Sequence, residues 1–261
     1  MSLLRRREGT DTGWALQVSA RTDRGRVRRE NQDAVLGQTG TLRLRPDEVA
    51  LVAVADGMGG GPAGALASRE ALRELASAFA QEEGDVPERL ARSMARANRH
   101  VYGFVERNPG YAGMGTTVVA AAVGQGRAWV ANVGDSRAYL LRNGRLERLT
   151  EDHSWVQEQV RAGIMSAREA ARSPYRNVIT RAVGSEPEVE TDLFGPVDLA
   201  EGEILLLCSD GLHGLLEERE ILAVARQTEF PRLADALVEA ANEAGGSDNI
   251  SVVAVQPAAG A

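Results

Sequence analysis

The sequence predicts a single layered α+β domain. Three features carry that reading. Helix-like and strand-like segments fall in separate blocks, the helices come in adjacent pairs, and the central block reads as a run of hairpins; stacked layers follow, rather than an alternating βαβ sheet. Residues 51–55 (LVAVA) form a short apolar run closing on Asp56-Gly57, the pattern of a buried strand. Residues 62–83 place Ala and Leu at helical spacing, with Pro62 near the start, and residues 87–107 repeat the pattern until Asn108-Pro109-Gly110 stops it. Two such neighbours predict an antiparallel helix pair. The period then shifts. Residues 116–123, 128–133, 137–142 and 145–149 read as strands, separated by glycine turns and by Asn143-Gly144, the strongest short hairpin signal, so they predict a four-strand antiparallel meander. Residues 153–172 are polar and weakly helical, a long excursion of the kind that forms a mobile flap. Residues 204–209 (ILLLCS) are a second buried strand ending in Asp-Gly. Helices over 217–226 and 231–243 follow, then a last strand over 250–255, directly after Ser247-Asp248-Asn249. With no internal repeat or Pro/Ser-rich linker, residues 14–256 read as one domain and residues 1–13 and 257–261 as tails.

Composition narrows the chemistry. The formal charge of −7 argues against a nucleic-acid partner, which calls for a basic face. The chain has no lysine; all 30 of its Lys-plus-Arg residues are arginine, so Schiff-base, P-loop-lysine and lysine-base chemistries are excluded. The lone Cys208 rules out an internal disulfide and a cysteine-rich zinc site. The histidines, His100, His153 and His213, show no metal-ligand spacing. No apolar run is long enough to span a membrane. The arginines at positions 5–7 precede no apolar stretch, so they read as a solvated tail and not as a secretory signal. The expectation is a free-standing cytoplasmic protein whose chemistry runs on carboxylates.

Gly59-Gly60-Gly61-Pro62-Ala63-Gly64 matches the dinucleotide fingerprint G-x-G-x-x-G on paper. The region that should hold the second strand and its acidic residue is instead helical, and Pro62 removes a backbone donor. A steric role suits the run better: the chain passes close to a charged site and then starts a helix. Five aspartates sit in loops at strand ends: Asp33, Asp56, Asp135, Asp210 and Asp248. A single Asp-Gly is usually a turn. Five such sites, two of them closing very apolar strands, are costly unless the carboxylates are paired or bind metal. Clustered carboxylates without an EF-hand pattern suit Mg²⁺ or Mn²⁺. Two such ions can activate water and neutralise a phosphoryl group, with no side-chain nucleophile needed.

These motifs, in this order, resemble the metal-dependent protein phosphatases, the protein phosphatase 2C family, in its compact bacterial form. They are R-x-x-N-Q-D at 28–33, D-G-M-G-G at 56–60, G-T-T at 115–117, G-D-S-R at 134–137, S-D-G at 209–211 and S-D-N at 247–249. The resemblance spans residues 14–255. It implies a four-layer α-β-β-α sandwich, two antiparallel sheets flanked by paired helices, and hydrolysis of phosphoserine and phosphothreonine by a hydroxide shared between two Mn²⁺ or Mg²⁺ ions. It further implies that Asp56 bridges the ions, Gly57 lends its carbonyl, Asp210 and Asp248 bind the second ion, and Asp33 holds metal-bound water. Asp135, with Asp210, would serve a weaker third ion. Arg28 would grip the substrate phosphate, residues 153–184 would form the variable flap, and a serine/threonine kinase with overlapping targets would be a partner. Two positions depart from some relatives: Met58 stands where a histidine is proposed to protonate the leaving group, and Gln32 where a glutamate helps bind metal. The rival readings are a catalytically silent phosphoprotein binder and a hydrolase of small phosphate esters.

Among the remaining residues, His153 reads as a helix cap or surface group, His100 as structural, and His213 as structural though near the site. Cys208 reads as inert core. Arg176 and Arg181 are the flap arginines best placed to touch substrate.

Overall fold

Strands apolar on both faces build the centre of the molecule. The structure, a computed structural model, describes residues 14–45, 47–60 and 62–258. The predicted N-terminal tail, most of the C-terminal one and Gly61 lie outside the described residues. The strands are β1 (Trp14–Asp23), β2 (Asp33–Leu36), β3 (Gly40–Leu44) and β4 (Ala50–Met58). Helices α1 (Pro62–Gln81) and α2 (Val86–Arg107) follow, then β5 (Gly115–Thr116), β6 (Val118–Gly124), β7 (Arg127–Val133), β8 (Arg137–Arg142) and β9 (Arg145–Arg148). Two short helices, α3 (Trp155–Arg161) and α4 (Ala167–Ala170), precede β10 (Asp192–Asp198) and β11 (Ile204–Cys208). The chain closes with α5 (Asp210–His213), α6 (Glu218–Gln227), α7 (Leu233–Glu243) and β12 (Ile250–Pro257).

All strand pairings are antiparallel. One sheet runs β3-β1-β12-β11-β8-β9; the other runs β10-β7-β6-β4-β2, with β5 beside β4. Alternation along single strands explains the sandwich. Val52, Val54, Val119, Ala121, Leu205, Leu207, Val253 and Val255 face the space between the sheets. Their neighbours Ala53, Ala55, Ala120 and Ala122 meet α1 and α2 on one outer face. On the other outer face Leu206, Cys208, Val252 and Ala254 meet α6 and α7. Because both faces of each strand are covered, the period-2 signal vanishes from the sequence and a continuous apolar run remains. The four-layer α+β prediction therefore holds. Alanines line the sheet under α1 and recur on its inner face as Ala67 and Ala71, so helix and sheet approach closely.

Local signals set the element ends. Asp85 caps α2 by accepting from the Glu88 backbone N–H at 3.0 Å, with Pro87 in the first turn. Asn143 and Gly144 both adopt positive φ, as a tight hairpin between β8 and β9 requires.

The predicted meander is corrected in one respect. Its four strands do not form one sheet: β6 and β7 pair in one sheet, β8 and β9 in the other, and the chain crosses between layers at Gly134-Asp135-Ser136. A turn looks alike in sequence whether it returns to its own sheet or hops to the next. Strands β1, β2, β3 and β10 are additional to those the sequence predicts. β3 and β10 are largely exposed edges, and β10 contains Gly195-Pro196 with a register shift beside it, so neither offers a continuous apolar signal.

Leu207 is fully buried between the sheets. Leu207→Ala is expected to lower unfolding stability by about 3 kcal/mol, read from urea denaturation monitored by circular dichroism.

Candidate active site

The strand registers bring the predicted aspartates to one end of the sandwich. Asp33 at the start of β2 sits opposite Asp56 near the end of β4. Asp135 follows β7, Asp210 follows β11, and Asp248 precedes β12, whose first residues lie beside the end of β11. A cleft of about 310 Å³ opens there, lined by Arg28, Asp56, Gly57, Asp135, Asp210 and Asp248 together with Gln32, Met58, Thr117, Asn177, Ile179 and Asn249. Asp33 does not line it. It is 7% exposed and lies beneath, next to Asp56.

Each motif has a mechanical role. The Asp56 main chain is gripped by Thr116 and Thr117: the Thr117 hydroxyl accepts from the Asp56 N–H at 3.1 Å, and the Thr116 hydroxyl and Thr117 N–H donate to the Asp56 carbonyl at 2.8 and 2.9 Å. Ser209 donates to Asp33 Oδ2 at 2.8 Å and accepts from the Ser251 N–H at 3.0 Å, tying β2, β11 and β12 together. The glycines after Asp56 and Asp210 serve close approach. A Cβ on Gly57 would overlap the Gly64 carbonyl, and one on Gly211 would overlap the Asn249 carbonyl. Gly64 thus belongs to a packing contact, which supports the steric reading of the glycine run.

The electrostatics are dominated by crowding. Burial, then the charges of Asp33, Asp210 and Asp135, raise the Asp56 carboxyl well above its ordinary range. Burial pushes Asp33 up to about 7, Asp210 adding to it against the Ser251 and Ser209 hydroxyls. Burial, then Asp210 and Asp152, push Asp135 up to about 7. Burial and Asp248 raise Asp210. Two buried carboxylate oxygens, Asp33 Oδ1 and Asp210 Oδ1, have no hydrogen-bond partner. Orphaned oxygens in a set of carboxylates and a backbone carbonyl fit a hard divalent cation. Among the described residues no three carboxylate, imidazole or thiol side chains already converge on one point.

Arg28 is half exposed at the rim, and its Nη2 donates to Asp248 Oδ2 at 2.6 Å. That bond, with the charges of Asp210 and Asp56 behind it, raises the guanidinium further above its usual value. Asn249 has a role that sequence reading missed. Its amide donates to the Arg24 and Glu30 carbonyls at 2.9 Å, and its Oδ1 accepts from the Gln32 N–H at 2.8 Å, so it staples the loop carrying Arg28. The only hint was its place in S-D-N.

Some expectations change. His153 neither caps a helix nor sits at the surface; it is 6% exposed, its Nδ1 accepts from the Gly134 N–H at 3.0 Å, and Ser154 provides the cap of α3. Arg181 is taken up by Glu190 and Asp192, and neither it nor Arg176 lines the cleft; Asn177 and Ile179 are the flap residues that do. Cys208 is fully buried with its thiol pushed up to about 12, as an inert core residue should be. His100 pairs with Glu70 across α1 and α2.

Behind the cleft, Asp152 accepts from Arg137 Nε and Nη2, at 3.0 and 2.7 Å, and from Arg148. Burial alone would raise its carboxyl, but the two arginines hold it below the usual range.

Comparison with known proteins gives this site its context. The family model of protein phosphatase 2C matches residues 19–164. The serine/threonine phosphatase Stp of Listeria monocytogenes is 39% identical over 247 residues, covering 92% of this chain and 96% of that protein. The crystal structure of the Mycobacterium tuberculosis serine/threonine phosphatase PstP/Ppp matches with a TM-score of 0.81 at 36% identity, over 93% of this chain and 98% of that one. A PstP catalytic domain solved with two manganese ions matches with a TM-score of 0.79 at 34% identity, over 93% of this chain and 98% of that one. The fold and these relatives define a metal-dependent hydrolase. The chain belongs to the protein phosphatase 2C family and is a serine/threonine protein phosphatase of that type.

Because the folded state holds Asp152 below its unfolded pKa, the pair stabilises the protein above about pH 4 and loses that contribution as pH falls through the folded value. Asp152→Asn is expected to cost about 2 kcal/mol at pH 7. The gap to the parent protein should narrow in urea titrations carried out below pH 4.

Proposed function

We propose that this phosphatase hydrolyses phosphoserine and phosphothreonine in proteins through two divalent cations, Mn²⁺ or Mg²⁺, held by Asp56, the Gly57 carbonyl, Asp210 and Asp248. A third, weaker ion belongs to Asp135 with Asp210. The observation that carries the reading is the single cleft into which Asp56, Asp135, Asp210, Asp248 and Arg28 all open. When bound, the ions supply the Lewis acidity that activates water near neutral pH and offsets charge on the phosphoryl group.

The chain's own residues do the rest. Arg28 binds the substrate phosphate through a planar guanidinium fork, for which its tie to Asp248 fixes the orientation. Asp33, buried against Asp56 and held by Ser209, orients water at the floor of the site. Met58 lines the cleft and carries no titratable group, so the leaving alcohol takes its proton from solvent in the cleft rather than from this side chain. The substrates are the products of serine/threonine kinases. No helix among the described residues is long and apolar enough to cross a membrane.

Phosphate release from a phosphothreonine peptide is expected with Mn²⁺ and to stop on chelation, with slower turnover of small phosphate esters. Asp56→Asn and Asp210→Asn should abolish metal-dependent turnover; near-normal rates in both would sink the assignment. Arg28→Ala should raise KM by about tenfold, the loss of one charge-assisted contact, with the melting temperature unchanged.

A further inference from the structure

Two of the three histidines hold the same turn. The His153 N–H donates to the Gly134 carbonyl at 3.0 Å, and the Gly134 N–H donates to His153 Nδ1 at the same distance. One residue on, the Asp135 carbonyl lies 3.0 Å from His213 Nε2. A carbonyl oxygen only accepts, so His213 carries its proton on Nε2 and donates. His213 stands three residues after Asp210, at the far end of the one-turn helix α5. That turn is anchored in its own right: its Gly211 packs against the Asn249 carbonyl with no room for a side chain. A closed circuit results, running from Asp210 along α5 to His213, across the hydrogen bond to the Asp135 main chain, and back through the cleft both carboxylates line. The Asp210 charge bears on the Asp135 carboxyl, and both charges bear on Asp56, which lines the same cleft. Without the tie, repulsion between the two would let the Gly134–Asp135 turn, a crossing between sheets, move away from α5.

We propose that His213 is a positioning residue: its Nε2–H, donated to the Asp135 carbonyl, locks α5 to the Gly134–Asp135 turn and so holds the Asp135 and Asp210 carboxylates at the separation one divalent cation needs. The inference rests on reading Asp135 as an ion ligand. It assigns to His213 the part that outer-shell hydrogen bonds play around metal sites, which is to orient the ligands without touching the ion.

The test is calorimetric titration of the full chain with Mn²⁺, for the parent protein, Asp135→Asn, His213→Leu and His213→Gln, with each variant's melting temperature recorded in chelator. His213→Leu keeps the volume and loses the donor; His213→Gln keeps an amide donor. The binding event that Asp135→Asn removes is expected to weaken about tenfold in His213→Leu, to recover in His213→Gln, and to leave the tighter events unchanged. A His213→Leu isotherm identical to the parent's, whatever its melting temperature, would overturn the proposal and leave His213 a packing residue. Should His213→Leu not fold, a His213→Gln isotherm lacking the Asp135-dependent event overturns it equally, and one retaining that event supports it. An Asp135→Asn isotherm identical to the parent's would instead overturn the reading of Asp135 as a ligand, and the proposal with it.

Discussion

Crowded carboxylates at one end of a β-sandwich are the constraint on which this structure turns. Asp33, Asp56, Asp135 and Asp210 are each pushed upward by burial and by one another or by Asp248. Two like charges about 4 Å apart repel by roughly 4 kcal/mol at an effective dielectric of about 20, a sizeable fraction of a domain's net stability. The fold tolerates this because the rest of the molecule is built to hold the strand ends still. Aliphatic side chains pack the space between the sheets, Thr116 and Thr117 grip the Asp56 main chain, Ser209 ties Asp33 to β12, and Asn249 fastens the loop that carries Arg28. A cation is the natural counterweight, which makes folding energetics and metal dependence aspects of one arrangement.

That arrangement also explains which polar side chains are spent on scaffolding. Arg137, Arg148 and Asp152 form a partly buried ion-pair cluster, and the Asp152 and Arg137 charges reach Asp135. His153 and His213 fix the turn in front of it. Burial, with Arg137 opposing its charge, pushes the His213 imidazole down to about 3, so it stays neutral at any ordinary pH. The chain thus brings neutral donors to main-chain carbonyls and reserves its carboxylates for the cleft, with Arg28 as the cation at the rim.

Much of this was legible in the sequence, and for identifiable reasons. Residues 51–55 and 204–209 announced themselves because strands covered on both faces read as unbroken apolar runs, and Asp56 and Asp210 stood out as charges at their ends. The first helix pair is legible through Pro62 and through the stop at Asn108-Pro109-Gly110, whereas the Asp85 cap shows only in the structure. Less visible were features that depend on partners distant in the chain. The crossing at residues 134–136 looks like any hairpin turn, so the sequence predicts one sheet where the structure has two. Edge strands β3 and β10 bury too little to leave a pattern. The polar neighbours of His153 suggest a surface position, whereas its burial is decided by Gly134 and the segment around Ile179. Asn249 carried no signal beyond its place beside Asp248; its three main-chain partners lie more than two hundred residues away.

If divalent cations offset the carboxylate repulsion at the strand ends, removing one carboxylate must change stability and metal response in opposite senses. The most direct measurement is the melting temperature of the parent protein and Asp210→Asn, each with Mn²⁺ and with chelator. Asp210→Asn, relieved of one like charge, is expected to melt above the parent in chelator yet to gain far less from Mn²⁺, the exchange of stability for function expected of a strained site. A variant that melts below the parent in chelator and gains as much from Mn²⁺ would contradict it.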